Sequence, residues 1–240
     1  MMQVVVLAGG LGLRLGTLTA DLPKIMVEVN GKPFIKHQLD WLENQGATEV
    51  LFSIGFKGEA VEEWIMKNAS NFKCKITTFF DKPSGLGTLG SLIQIANQNL
   101  LEDSFLVTYG DTIPRISLKK VYLELISQKL DILLTGINKD LVNDHPNMLV
   151  SNGKLLEYSK NTEHTKNFTH IEYGVIGMSR KALENRTITF GYEDLSVLIN
   201  EILAKSPIPV LEANVPYTEM GSPAGLAKMQ QEFIVRNSLE

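Results

Sequence analysis

The run Leu7-Ala8-Gly9-Gly10-Leu11-Gly12-Leu13-Arg14-Leu15-Gly16 follows directly on an apolar stretch. Its glycines let the backbone come close to a ligand, and free N–H groups in such a turn can cradle phosphate. Two familiar phosphate loops are excluded. No Gly-Lys-Ser/Thr follows, so this is not a Walker A loop. The spacing is not G-x-G-x-x-G, and the next apolar run ends in Ile54-Gly55-Phe56, without the acid that would hold a ribose. Glycine turns between strand and helix are also ordinary structural features, so the glycines alone leave both readings open. Arg14 and Lys24 add chemistry, because two cations flanking one loop suit a triphosphate. One can hold a departing pyrophosphate while the other neutralises charge at the α-phosphorus. The plainer alternative is a pair of solvated surface charges. Asp111 follows the apolar run Phe105–Tyr109 and Gly110. An acid at that end of a strand is placed for Mg²⁺, which takes a few carboxylates plus substrate phosphates. Taken alone, Gly110-Asp111-Thr112 also reads as a turn.

Positioning these groups requires an α/β framework. Short β-branched runs alternate with helical patterns through the first half, the signature of a mostly parallel sheet. The expected strands are Val4–Leu7, Glu49–Ile54, Lys75–Phe80, Phe105–Tyr109 and Ile132–Gly136. Helices are expected over Pro33–Asn44, Glu59–Lys67, Thr88–Asn97, Leu118–Gln128, Glu193–Ala204 and Pro223–Val235. In the first of these, Ile35, Leu39 and Leu42 share one face. The last opens with Ser222-Pro223, a capping residue before proline at the first helical position. Asn152-Gly153, between Met148–Ser151 and Lys154–Tyr158, reads as a hairpin turn. The stretch from Asn138 to Glu172 is more polar and irregular, and is expected to be a β-rich elaboration on the substrate side of one domain.

The segment LAGGLGLRLGTLTADLPKIMVEVNGKPFI resembles the signature of the sugar-1-phosphate nucleotidyltransferase family, roughly L-A-G-G-x-G-T-R-L followed by P-K-x-M-x-x-V-x-G-K-P. Leu13 stands where the family usually has threonine. The resemblance implies a single Rossmann-like three-layer α/β/α domain of the glycosyltransferase-A-like kind. Residues 1–137 would form the nucleotide-binding half, 138–222 the sugar-phosphate side, and 223–240 a C-terminal helix. It implies that an NTP and a sugar 1-phosphate give a nucleotide-sugar and pyrophosphate, with Mg²⁺ as cofactor. Arg14 and Lys24 are then the catalytic cations. Leu7, Ala8, Gly9, Gly10, Gly12, Arg14, Lys24 and Gly110 hold the nucleotide. Lys82-Pro83-Ser84-Gly85-Leu86-Gly87-Thr88 resembles the family's P-x-G-T-x-G segment, so Pro83, Gly87 and Thr88 are expected at the nucleoside. Asp111 matches the family's G-D metal position. Glu219, in Tyr217-Thr218-Glu219-Met220-Gly221-Ser222-Pro223, matches its second metal position, where aspartate is more common. Lys160, Glu172 and Gly174 are expected at the sugar phosphate. Ser159 replaces a usual glutamate and Glu172 a usual asparagine, which points away from the commonest hexose phosphates. GTP with a heptose or mannose 1-phosphate is the first reading. Phosphocholine or a phosphorylated amino-acid amide as acceptor is the alternative, and so is a degenerate regulatory module. A homodimer fits the family.

The bulk composition is compatible with this. The chain has 240 residues, 44% of them hydrophobic, enough for a sizeable core. A net charge of −4 argues against general nucleic-acid binding. The single cysteine, Cys74, leaves no intramolecular disulfide and suggests a reducing cytoplasm. The opening residues lack the pattern of a signal peptide, and no run approaches a membrane span. His37, His145, His164 and His170 lack metal-ligand spacing.

Overall fold

The computed structural model describes residues 1–10, 12–81, 85–188 and 191–237. Four strands form a parallel block: β1 (Gln3–Ala8), β2 (Glu49–Ile54), β3 (Lys75–Phe80) and β4 (Ser104–Tyr109). Five more extend the sheet: β5 (Ile132–Asn138), β6 (Met148–Ser151), β7 (Lys154–Tyr158), β8 (His170–Ser179) and β9 (Ile208–Ala213). The order across the sheet is β3-β2-β1-β4-β8-β5-β9-β7-β6. The helices are α1 (Phe34–Asn44), α2 (Gly58–Asn68), α3 (Gly87–Asn97), α4 (Leu118–Ser127), α5 (Leu195–Leu203) and α6 (Pro223–Asn237).

Side-chain alternation along the strands builds three layers. Val4 and Val6 of β1 join one buried cluster with Leu39 of α1, Val61 of α2 and Leu125 of α4. Val5 faces the other way, into a cluster with Leu92 of α3 and Leu198 of α5. Strands covered on both faces read as continuous apolar runs, which is why the parallel block is visible in sequence.

The expected mostly parallel sheet needs correction. β8 runs antiparallel to both neighbours, β4 and β5, and β7 runs antiparallel to β9 and β6. The sheet is therefore mixed, with the antiparallel pairings at least matching the parallel ones. The cause is the crossover through α4, which sets β4 and β5 parallel but one strand apart, and β8 fills the gap from the opposite direction. An apolar run signals burial and says nothing of direction. Neither β8 nor β9 was among the expected strands.

Local signals hold at several ends. Asn152 and Gly153 both have positive φ, 51° and 68°, as a type I′ hairpin requires. Ser222 Oγ accepts the Gly225 N–H at 3.0 Å and caps α6. α5 starts at Leu195 rather than Glu193, because the Asp194 side chain accepts the Ser196 N–H at 2.9 Å and acts as its cap. Among the described residues, no helix is long and apolar enough to cross a membrane.

Candidate active site

The strands β1 to β4 end together, so Gly9, Gly55, Asp81 and Gly110 open on one sheet edge, where α/β sheets take ligands. A cavity of ≈ 1000 Å³ lies there. Its wall at Gly9 is tight: a methyl group on that residue would stand 2.7 Å from Oδ2 of Asp81. Asp81 is 8% exposed and accepts hydrogen bonds from Ser53 Oγ at 2.8 Å and Ser91 Oγ at 2.7 Å. One carboxylate thus joins the ends of β2 and β3 to α3 behind the glycine loop.

Burial raises the Asp81 carboxyl above its ordinary range, and the two serine hydroxyls only partly offset this. As pH rises, the unfolded chain releases this proton before the folded one does. The group's contribution is therefore most favourable below the ordinary carboxylate pKa and is lost as pH rises through the raised folded value. Asp81→Asn is expected to raise the melting temperature at pH 7, with the gain vanishing below about pH 4. A lower melting temperature at pH 7 would refute the burial account.

The cations are set by the loop after β1. Leu15 and Ile25 are buried and anchor it, and Thr19 Oγ1 donates to the Gly12 carbonyl at 2.9 Å. Lys24 Nζ then reaches Asp111 Oδ2 at 2.5 Å. Asp111 sits in a turn braced from α1, where Gln38 Nε2 donates to the carbonyls of Tyr109 at 2.7 Å and Thr112 at 3.4 Å. Just beyond it, Thr112–Ile113 pairs antiparallel with Thr218–Glu219, and the Met220 N–H donates to the Asp111 carbonyl at 2.9 Å. This two-stranded ribbon brings together two acids more than a hundred positions apart in sequence. A methyl group on Gly221 would stand 3.1 Å from Arg14 Nη2 and 3.4 Å from Lys24 Nζ, and would collide with Glu219 Oε2. Arg14, Lys24 and Glu219 thus border one point. The Glu219 carboxylate accepts the Gly221 N–H and lies 3.4 Å from Ser222 Oγ.

Among the described residues, no three His, Cys, Asp or Glu side chains form a metal cage. Asp111 and Glu219 fit a different kind of site. Both offer hard oxygen donors, and Asp111 already carries a cationic partner in Lys24. Such a pair suits an ion that takes its remaining ligands from phosphate and water.

Glu172 also lines the cavity and accepts hydrogen bonds from Tyr109 Oη at 3.0 Å, Tyr158 Oη at 3.5 Å and the Gly174 N–H at 3.1 Å. A bulge in β8 between Glu172 and Ile176, with Gly174 at φ 86°, shapes this corner. Burial raises the Glu172 carboxyl, while the Lys160 charge and the Tyr109 hydroxyl pull it back. Lys160 is paired with Asp194 at 2.8 Å.

Leu7, Ala8, Gly9, Gly10, Gly12, Arg14, Lys24, Gly87, Thr88, Gly110, Asp111, Lys160 and Glu172 all line this cavity. Glu219 and Gly174 stand just behind its wall, through Gly221 and Glu172 respectively. Pro83 lies outside the described residues. Asp81, Tyr109, Asp144, His145, Asn147 and Tyr217 also face the cavity and were not singled out from sequence. Asp81 was findable, since it follows a strand just as Asp111 does.

The nucleotidyl transferase family profile matches residues 3–145. D-glycero-α-D-manno-heptose 1-phosphate guanylyltransferase of Aneurinibacillus thermoaerophilus is 24% identical over 97% of this chain and 98% of its own length. The enzyme of the same description from Campylobacter jejuni is 31% identical over 57% of this chain and 59% of its own. Among solved structures, HddC from Yersinia pseudotuberculosis complexed with GMP-PN superposes with a TM-score of 0.77, at 24% identity, covering 97% of this chain and all of that one. A putative glucose-1-phosphate thymidylyltransferase from Bacillus anthracis in complex with a sucrose gives 0.81 at 20% identity, covering 97% and 95%. These likenesses establish a shared α/β, glycosyltransferase-A-like fold. The chain belongs to the nucleotidyl transferase family, and the two curated relatives named above are sugar-1-phosphate nucleotidyltransferases.

Proposed function

We propose that this enzyme transfers a guanylyl group from GTP to a heptose 1-phosphate or a close manno-configured relative, releasing pyrophosphate, with Mg²⁺ as cofactor. One observation carries the reading: Arg14, Lys24 and Asp111 line a cavity beside the glycine loop that also holds Lys160, and Glu219 borders Arg14 and Lys24 from behind its wall. The full-length guanylyltransferase relative supports the choice of base and acceptor. The lone Cys74 suits a reducing cytoplasm.

In this reading the backbone of Gly9, Gly10 and Gly12 receives the triphosphate, and the turn at Gly87 and Thr88 receives the nucleoside. Arg14 holds the pyrophosphate as it departs. Lys24 neutralises charge growing on the transferred phosphoryl oxygens, and Lys160 orients the acceptor phosphate. An acceptor oxygen attacks the α-phosphorus in line, the bond to the β-phosphate oxygen breaks, and pyrophosphate leaves with the electron pair. Asp111 and Glu219 would hold Mg²⁺, which supplies charge neutralisation between two polyanions. A phosphate nucleophile carries no proton to remove, so the site works by positioning and electrostatics without a general base.

The test is pyrophosphate release with Mg²⁺, each of the four NTPs, and a panel of sugar 1-phosphates plus phosphocholine. Release restricted to GTP and manno-configured acceptors is expected. Release with phosphocholine alone would move the acceptor outside the sugars, and nucleotide binding with no release at all would identify a regulatory module.

A further inference from the structure

Lys160 is held by a carboxylate that also belongs to the nucleoside turn. Its Nζ lies 2.8 Å from Oδ1 and 2.9 Å from Oδ2 of Asp194. Asp194 caps α5 through the Ser196 N–H at 2.9 Å, and Thr88 Oγ1 approaches its Oδ2 at 3.4 Å. Thr88 Oγ1 in turn accepts the Leu195 N–H at 2.8 Å. The backbones are locked as well. The Glu193 N–H donates to the Leu86 carbonyl at 2.8 Å, and the Leu89 N–H donates to the Glu193 carbonyl at 3.0 Å. Gly87, at φ 80°, lies so close that a methyl group there would meet the Glu193 backbone nitrogen at 3.0 Å. Residues 193–195 therefore form one piece with the turn expected at the nucleoside, and the same piece carries the cation expected at the acceptor.

We infer that Asp194 is a positioning residue, which orients the Lys160 ammonium for the acceptor phosphate and links that orientation to the turn at Gly87 and Thr88. The inference rests on the functional reading above. An ammonium has three donors, so one paired with a carboxylate retains a proton for a phosphate oxygen. Fixing a long side chain before the acceptor arrives removes an ordering cost from binding. An ordinary exposed ion pair would contribute little. This one differs because Asp194 is only 19% exposed and bonds to Ser196 and Lys160 at once. Burial alone would raise its carboxyl, but the bonds from Lys160 and Ser196 outweigh burial and hold it below its ordinary value. Coupling between two binding sites is reciprocal, so a nucleotide that tightens acceptor binding through this piece is tightened by the acceptor to the same factor.

Asp194→Asn tests this, because asparagine caps helices as well as aspartate while losing the charge. With GTP and D-glycero-α-D-manno-heptose 1-phosphate, the variant is expected to raise the acceptor KM about tenfold, with kcat changed less than about twofold. The Kd for an α,β-methylene analogue of GTP should stay within about twofold, but the analogue should no longer tighten acceptor binding measured by calorimetry. In a Lys160→Met background the same change should move the acceptor KM less than about twofold. An equal effect in both backgrounds would overturn the inference, as would an unchanged acceptor KM in Asp194→Asn. Absence of turnover by the unsubstituted enzyme would overturn the functional reading and this inference with it, whereas the variant outcomes overturn the inference alone.

Discussion

Asp111→Ala is expected to lower kcat about 10³-fold or more, with nucleotide affinity much less affected. Asp111 is the only one of the two candidate metal acids that forms part of the cavity wall, and its Oδ2 lies 2.5 Å from Lys24 Nζ. On the proposed reading, removing it takes away an oxygen ligand for Mg²⁺ and also frees the ammonium it pairs with. Both losses fall on the charged transferring group, so kcat should respond more than KM. Asp111→Asn separates the two roles: it keeps the shape and an oxygen while losing the charge, and should fall nearly as far if charge is what matters. A loss under tenfold in both variants would place the metal elsewhere. Raising the Mg²⁺ concentration should partly restore the asparagine variant and do little for the alanine one.

The second large effect is expected at Lys24. Lys24→Ala should lower kcat by about 10² to 10³, the range found when one preorganised transition-state donor is removed. The physical reason is position. Lys24 follows Pro23 into a short helical turn whose next residue, Ile25, is 1% exposed. A buried neighbour fixes the start of the side chain and Asp111 fixes its end, so little reorganisation remains when charge develops. The loss should be less than additive with that of Asp111→Ala, because the two side chains act through one contact. A change below about threefold, measured by pyrophosphate release at saturating GTP and acceptor, would remove Lys24 from the transition state.

Legibility differed between the two halves of the molecule for physical reasons. Val4–Val6, Val50–Phe52 and Leu106–Val107 are buried on both sheet faces, so composition alone marked them as strands. The helices were equally visible, because Ile35, Leu39 and Leu42 repeat at helical spacing over one core. β9 reads poorly, since Pro209 and Glu212 interrupt an otherwise apolar run. β8 is broken by Gly174 and Gly177, and its reversed direction has no local signature. At the site, strand-end position revealed Asp111, and the same rule applied to β3 would have found Asp81. Glu219 could be reached only by resemblance, because the ribbon that brings it beside Arg14 and Lys24 is two residues long on each side. Asp194 was invisible for another reason. The sequence pattern places it inside a helix beginning at Glu193, whereas it caps α5, and its ion pair with Lys160 spans 34 positions.

The reversed strand between β4 and β5 also dictates when the sheet can close. As the chain leaves the ribosome, β1 to β4 can pair among themselves early, and β5 follows through α4. The slot between β4 and β5 stays open until residues 170–179 emerge. During that interval Ser104–Tyr109, four of whose six residues are buried in the finished molecule, presents one bare edge of hydrogen-bonding groups. Unpaired apolar edges are where chains join wrongly to one another. The segment matching the family profile, 3–145, ends before the strand that covers this edge. A fragment ending at residue 145 would therefore be a sticky piece rather than a miniature enzyme, and nascent chains carry the same exposed seam until Ser179 is in place.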